Sequence, residues 1–194
     1  MKTALFVSSF VMAAIAFGSL YAQTGSSADA KPAPVSDSQF VAEASAAGLA
    51  EVASGKVAIA QGQAAVVRSF GQTMVTDHSK ANAALAKLAG TKGMAVATTP
   101  SADQQASLDS LKSTHGATFD QAYARMALND HTQAVALFEQ EASTGQDADL
   151  RAFATSTLPT LKHHLEMVRN LPSHGVAKSL TSLAPSERLA IGGP

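Results

Sequence analysis

Apolar residues recur every three or four positions through most of the chain, which is the spacing of one buried face on a helix. From Ala64 to Gly90 the series Val67, Phe70, Met74, His78, Ala81, Leu85, Leu88 keeps this step throughout, and Asp147 to Leu171 repeats it with Leu150, Phe153, Thr157, Leu161, His164, Val168, Leu171. The same spacing predicts helices over Gln39 to Gln61, with Phe40, Ala44, Ala47 and Glu51 on one face, and over Phe119 to Ser143. A shorter helix is expected from Ala102 to Ser113. No segment alternates as a strand would.

Helix starts and stops agree with these spans. Ser36 to Gln39, Ser101 to Gln104 and Thr118 to Gln121 each match the capping-box pattern, and Thr144 to Asp147 is a weaker fourth. Gly62, Gly90, Gly93, Gly116 and Gly145 mark the stops, with Pro172 after the last span. His115 reads as a residue at the C-terminal end of the short helix. Pro159 is a local conflict, since it removes one backbone donor inside the last helix and favours a kink there. The expected fold class is all-α, an antiparallel four-helix bundle with a short extra helix before the third main helix.

Histidine enters this pattern at core positions. Val75 to Leu85 reads VTDHSKANAAL and Leu128 to Phe138 reads LNDHTQAVALF, so an Asp-His pair recurs 53 residues apart. The stripes turn His78 and His164 inward; on the third helix the stripe passes through Asp130 or His131, and the recurrence favours His131. Glu51 is the inward acid of the first helix, with Glu43 to one side. The Gln61 turn and the Gly145 turn are expected to share one end of the bundle, from which depth is counted. On that count Glu51 lies ten residues in, His131 twelve, His78 fourteen and His164 seventeen, with Glu43 at eighteen. At about 1.5 Å per residue, Glu51 and the three histidines fall within roughly 11 Å.

Buried ionisable groups at one depth are costly unless they bond to one another or hold a cation. Imidazole with carboxylate suits a single Fe, Mn, Zn or Cu ion. The candidate ligands are His78, His131, His164 and Glu51, with Glu43, Asp77 and Asp130 as further candidates; the two aspartates could also orient a neighbouring ring. The alternative is a metal-free interaction or structural module of the cell envelope, whose histidines fix helix contacts and whose exposed alanine-rich face meets a second copy or another partner.

Composition narrows the field. Fourteen Lys and Arg against fifteen Asp and Glu leave no basic field for a nucleic acid. The absence of cysteine removes disulfides, thiolate metal sites and a lipoprotein anchor. Serines near His115 and His174 have no matching acid for a hydrolase triad, and no strand leads into a glycine-rich phosphate loop. Lys2 followed by the uncharged run ALFVSSFVMAAIAFGSL is a secretory signal pattern, with cleavage expected after Ala22 or as late as Ala28. Residues 23 to 35 read as a flexible linker, 36 to 172 as the bundle and 173 to 194 as a mostly disordered tail. The mature protein is therefore expected to be periplasmic or otherwise exported, with no membrane span left after cleavage.

The combination of Glu51-Val, Val67-Arg-Ser-Phe70, Met74-Val-Thr-Asp-His78, Phe119-Asp, Tyr123, Asp-His131, Leu150-Arg, Leu158-Pro-Thr-Leu and His164-Leu resembles the exported bacterial proteins grouped as domain of unknown function 4142. The resemblance covers nearly the whole mature domain. It implies a ferritin-like helical bundle with His78, His131 and His164 as recurrent histidines, and no established activity. Ferritin-like di-iron sites take Glu-x-x-His from two helices. Here Val75, Leu128 and Leu161 stand three residues before the histidines, which argues against a dinuclear centre.

Overall fold

The computed structural model describes residues 35–172, so the expected signal segment, most of the linker and the tail lie outside the described residues. The described chain forms five helices: α1 (Asp37–Gln61), α2 (Ala65–Thr91), α3 (Ala102–Lys112), α4 (Gly116–Thr144) and α5 (Ala148–Arg169). No strand occurs among the described residues, and none of their helices is long and apolar enough to cross a membrane. Helix α5 passes through Pro159 as one element.

The long helices pack as two hairpins, α1 on α2 and α4 on α5, joined mainly along α1 and α4. Small residues let the first hairpin close tightly. A Cβ at Gly55 would lie 2.7 Å from the Gly71 carbonyl oxygen, and one at Gly71 would lie 2.8 Å from that of Gly55, so the α1 and α2 backbones touch there. Any larger side chain at either position would force the helices apart.

Two aspartates fix which ends meet. Asp37, in the first turn of α1, accepts from the backbone N–H groups of Gln146 and Asp147, both at 2.8 Å. Asp120, near the start of α4, accepts from those of Gln63 and Ala64, both at 2.9 Å. Each carboxylate therefore caps the other hairpin's second helix, satisfying donors that a helix start leaves unpaired. The Gln61 turn and the Gly145 turn consequently lie at opposite ends. This corrects the depth count above. Residues 92–115, including α3, carry the chain back along the bundle, so α2 and α4 run parallel while each hairpin is antiparallel.

Measured from the end that holds Asp37 and Gly145, Glu51 is fourteen residues beyond Asp37, His131 fourteen before Gly145, His78 thirteen before Thr91 and His164 seventeen beyond Asp147. These levels span four residues, against the seven expected if the two turns shared an end.

The reciprocal caps reveal an internal duplication with an offset of 83 residues. Gly62-Gln63, Ala65, Arg68 and Phe70 match Gly145-Gln146, Ala148, Arg151 and Phe153. The matched residues do matched work: Arg68 Nη1 donates to the carbonyls of Gly62 and Gln63, and Arg151 Nη1 to those of Gly145 and Gln146.

Caps at the other starts are mixed. Ser101 and Gln104 make the full capping box. Ser36 accepts from Gln39 N, but the Gln39 amide turns to Glu43 instead. The expected box at Thr118 is not used, because α4 begins at Gly116 with His115 in the N-cap position, on the far side of the boundary from its expected place.

The core falls into two clusters. Val67, Phe70, Met74, Phe119, Tyr123 and Val168 fill one, and Phe40, Val41, Leu85, Phe138, Leu150 and Leu161 fill the other. On every long helix one buried ionisable residue, Glu51, His78, His131 or His164, lies between them. Replacing Asp120 by Ala should cost about 1–2 kcal/mol by stripping two backbone donors of their partner. Urea denaturation would show this as a lower midpoint at unchanged slope; a midpoint equal to the parent's would refute the role given to this carboxylate.

Candidate metal centre

Four helices deliver one group each to the layer between the clusters. The stripe of α2 carries His78, 7% exposed, and α4 and α5 bring His131 and His164, each 1% exposed. On α4 it is His131, not Asp130, that points inward. The ring centroids are 5.5 Å apart for His78 and His131, 5.4 Å for His78 and His164, and 5.4 Å for His131 and His164. The three form a nearly equilateral set. One nitrogen from each belongs to a group in which no separation exceeds 4.8 Å.

Hydrogen bonds fix two of the tautomers. His131 Nδ1 lies 2.8 Å from the Ala127 carbonyl oxygen, and His164 Nε2 lies 2.9 Å from Asp77 Oδ2. A carbonyl accepts only, and so does an ionised carboxylate, so each of these nitrogens donates its N–H and the opposite nitrogen keeps the lone pair. Those opposite atoms, His131 Nε2 and His164 Nδ1, are buried with no partner, as is His78 Nε2.

Burial keeps the rings neutral. The His78 pKa is pushed down to about 3, first by burial and then by the charges His131 and His164 would carry. Burial likewise brings His131 down to about 4 against the raising effect of the Ala127 bond, and lowers His164 against the pull of Asp77. Neutral imidazole is the form that binds metal.

The carboxylates take different places from one another. Glu51 is buried, and its Oε1 lies 3.3 Å from His131 Nδ1. The N–H of that nitrogen is already spent on Ala127, and neither Glu51 oxygen has a hydrogen-bond partner. Burial, and then the charge of Asp130, hold the Glu51 carboxyl well above the usual range, so the contact is not an ion pair. Glu51 stands behind His131 and outside the three-nitrogen group, a neighbour of one of the three rings. Asp77 accepts from His164 Nε2. Asp130 does not orient a ring; it accepts from the Asn129 amide at 3.2 Å. Glu43 is exposed and takes its bond from Gln39 at 2.9 Å.

Tyr123, part of the family pattern but not among the candidate site residues, lies close to the site. Its hydroxyl is buried without a partner, and its pKa is raised by burial and then by Glu51, so a second polar group lies beyond Glu51 in the apolar core. The matching of Tyr123 to Phe40 across the duplication is the signal that a hydroxyl had been added to a core ring.

Around a tetrahedral ion with bonds of about 2.0 Å, ligand nitrogens lie roughly 3.3 Å apart, so the rings would draw inward on binding. A set of three imidazoles without a carboxylate suits zinc, copper or iron better than manganese.

These features define a helical bundle with a buried trio of histidines across its middle. The chain belongs to the family of the domain of unknown function DUF4142, whose model matches residues 22–171. No curated protein matches it. Among solved structures it is similar to a DUF305 fragment from Deinococcus radiodurans, at 14% identity and a TM-score of 0.61, covering 68% of this chain and 91% of that one. At that identity the likeness speaks for the fold alone.

Depressed histidine pKa values have a definite sign in the metal-free protein. Between about pH 6.5 and 4 the unfolded chain takes up protons that folded His78 and His131 refuse, so their contribution to stability falls as pH falls. Glu51, whose carboxyl is raised, works in the opposite direction. The stability of the parent relative to His78→Gln should therefore fall on acidification from pH 7 to 4.5, by up to about 1.4 kcal/mol per pH unit. Chelator-treated urea melts at several pH values measure it, and a difference that does not change with pH would contradict the neutral-ring assignment.

Proposed function

We propose that this is an exported, ferritin-like four-helix protein that binds a single transition-metal ion in the bundle interior. His78 Nε2, His131 Nε2 and His164 Nδ1 would hold the ion, Asp77 would orient His164, and Glu51 would support His131. Zinc, copper and iron are the candidate ions. The observation that carries this reading is the state of the three nitrogens: each is buried without a partner, within a trio of rings kept neutral by burial. A polar layer that served only to fix helix contacts would pair donors with acceptors. Here two rings send their donors outward, to Ala127 and Asp77, and retain inner lone pairs that only a cation or a donor can satisfy.

The ferritin-like arrangement is supported by the two antiparallel hairpins and the long return from α2 to α4. A single ion is favoured because Val75, Leu128 and Leu161 stand where Glu-x-x-His motifs would need acids. Export to the periplasm is supported by the charge-free run from Ala4 to Leu20 behind Lys2. In that compartment the domain would be a metal-binding protein of the cell envelope.

Untagged mature protein dialysed against zinc, copper or iron should retain close to one ion per chain by elemental analysis. At free ion a hundredfold above its dissociation constant the folded state gains about 2.7 kcal/mol. For a domain of this size that raises the melting temperature by roughly 5–10 °C. Chelator should reverse the rise, and His131→Ala should lack it. A parent that binds none of the three ions, with a melting curve indifferent to chelator, would refute the reading.

A further inference from the structure

A cavity of about 410 Å³ reaches the three rings from the surface. His78, His131 and His164 line its buried end, while exposed Ala42, Gln133 and Thr160 line its mouth. That volume is within the range of small-molecule sites. Three protein ligands leave a four-coordinate ion with an open position, the arrangement of sites that act on or bind an exogenous molecule.

The duplication shows how the space arises. Under the 83-residue offset Gly48 matches His131, Ala81 matches His164, and Ala134 matches Glu51. All three small residues line the cavity. One copy of each matched position carries a ligand or its support, and the other has been emptied. Asn82 uses part of that room: a Cβ at Gly48 would overlap its amide, so the glycine admits a donor and acceptor to the cavity wall.

Charge selects among occupants. Glu43, Asp77 and Asp130 line the cavity beside Glu51, whose carboxyl burial holds well above the usual range, and no Lys or Arg does so among the described residues. An organic anion would face acids along its whole path and find a counter-charge only at the ion. A basic nitrogen is attracted to the mouth while protonated and supplies a lone pair to the ion once it loses the proton. Leu85, Phe138, Phe153 and Leu161 supply apolar wall for a compact hydrophobic body.

We propose that this cavity receives a compact organic base, an imidazole or amine carrying an apolar group, whose nitrogen completes the coordination of the ion. The inference rests on the metal-binding reading, and the test separates the two. Cobalt(II) is loaded first and its uptake measured by elemental analysis. The visible spectrum is then titrated with imidazole, 4-phenylimidazole, benzylamine and benzoate. Expected are a shift of the cobalt bands with 4-phenylimidazole at least tenfold tighter than with imidazole, a response to benzylamine, and benzoate at least tenfold weaker than 4-phenylimidazole. Ala47→Phe and Ala134→Phe, which fill the cavity without altering a ring nitrogen, should retain cobalt and the response to imidazole but lose the advantage of the phenyl group.

Failure to retain cobalt together with failure to retain zinc, copper and iron would defeat the metal reading, and this inference with it; retention of those ions with no effect of any base on their release to chelator would overturn the inference alone. Uptake followed by bands that no base moves would overturn the inference alone. So would benzoate binding as tightly as 4-phenylimidazole, filled variants that behave as the parent, or a spectral change that proves on desalting to be loss of cobalt.

Discussion

Three neutral imidazoles whose inner nitrogens find no partner in the protein are the constraint on which the rest of this bundle depends. A buried polar group without a partner costs about 1–3 kcal/mol. Several of them in one layer draw heavily on a stability margin of about 5–15 kcal/mol. The apolar clusters on either side must supply that stability and hold the rings against relaxation. Phe70, Met74 and Tyr123 on one side, and Phe40, Leu85 and Phe138 on the other, are all buried and set the helix spacing at both edges of the layer. The close approach of Gly55 and Gly71 limits how far α1 and α2 can adjust. A cation is the simplest partner for such a layer, because it satisfies every inner lone pair at once without asking any ring to turn.

Much of this was legible in the sequence. The apolar step along α2 and α5 placed His78 and His164 inward, and the recurring Asp-His pair chose His131 over Asp130. Periodicity reports which face a residue occupies; it does not report which atom faces it across the gap. Glu51 accordingly read as a ligand although it stands behind His131, at the nitrogen whose proton is already given to Ala127. Asp77 and Asp130 share a local sequence context yet do different things, because only Asp77 lies against His164 of the opposite hairpin. Local sequence cannot encode that difference.

The ends of the bundle were misread for a related reason. A connection that contains its own helix can either turn back beside its predecessor or travel the length of the body, and its length permits both. What decides is a pair of contacts more than fifty residues apart in sequence, Asp37 with the α5 start and Asp120 with the α2 start. The matching Gly-Gln, Ala, Arg and Phe positions around Gly62 and Gly145 carry the same information. They show two equivalent hairpins, and equivalent hairpins that cap one another must place their turns at opposite ends.

That equivalence also bears on how a site of this kind can be built without wrecking its scaffold. In a symmetric pair of hairpins each central position occurs twice, and two copies of every ring would put six imidazoles and two acids in one layer, a desolvation cost the flanking clusters could hardly offset. Keeping a polar group in one copy and an apolar residue in the other, Leu161 opposite His78 and glycine or alanine opposite His131, His164 and Glu51, lowers that cost, and the small residues open the volume beside the rings. Where the copies carry structure, at Asp37 and Asp120 or Arg68 and Arg151, both have kept the same side chain and the same hydrogen bonds. The capping aspartates and the Gly-Gln, Ala and Arg positions around the turns are kept, while Gly48 and His131, Ala81 and His164, and Glu51 and Ala134 differ. The caps therefore hold the frame while the central layer is free to be asymmetric, and an asymmetric centre with rings on one side and space on the other is what a bound ion with an open coordination position requires.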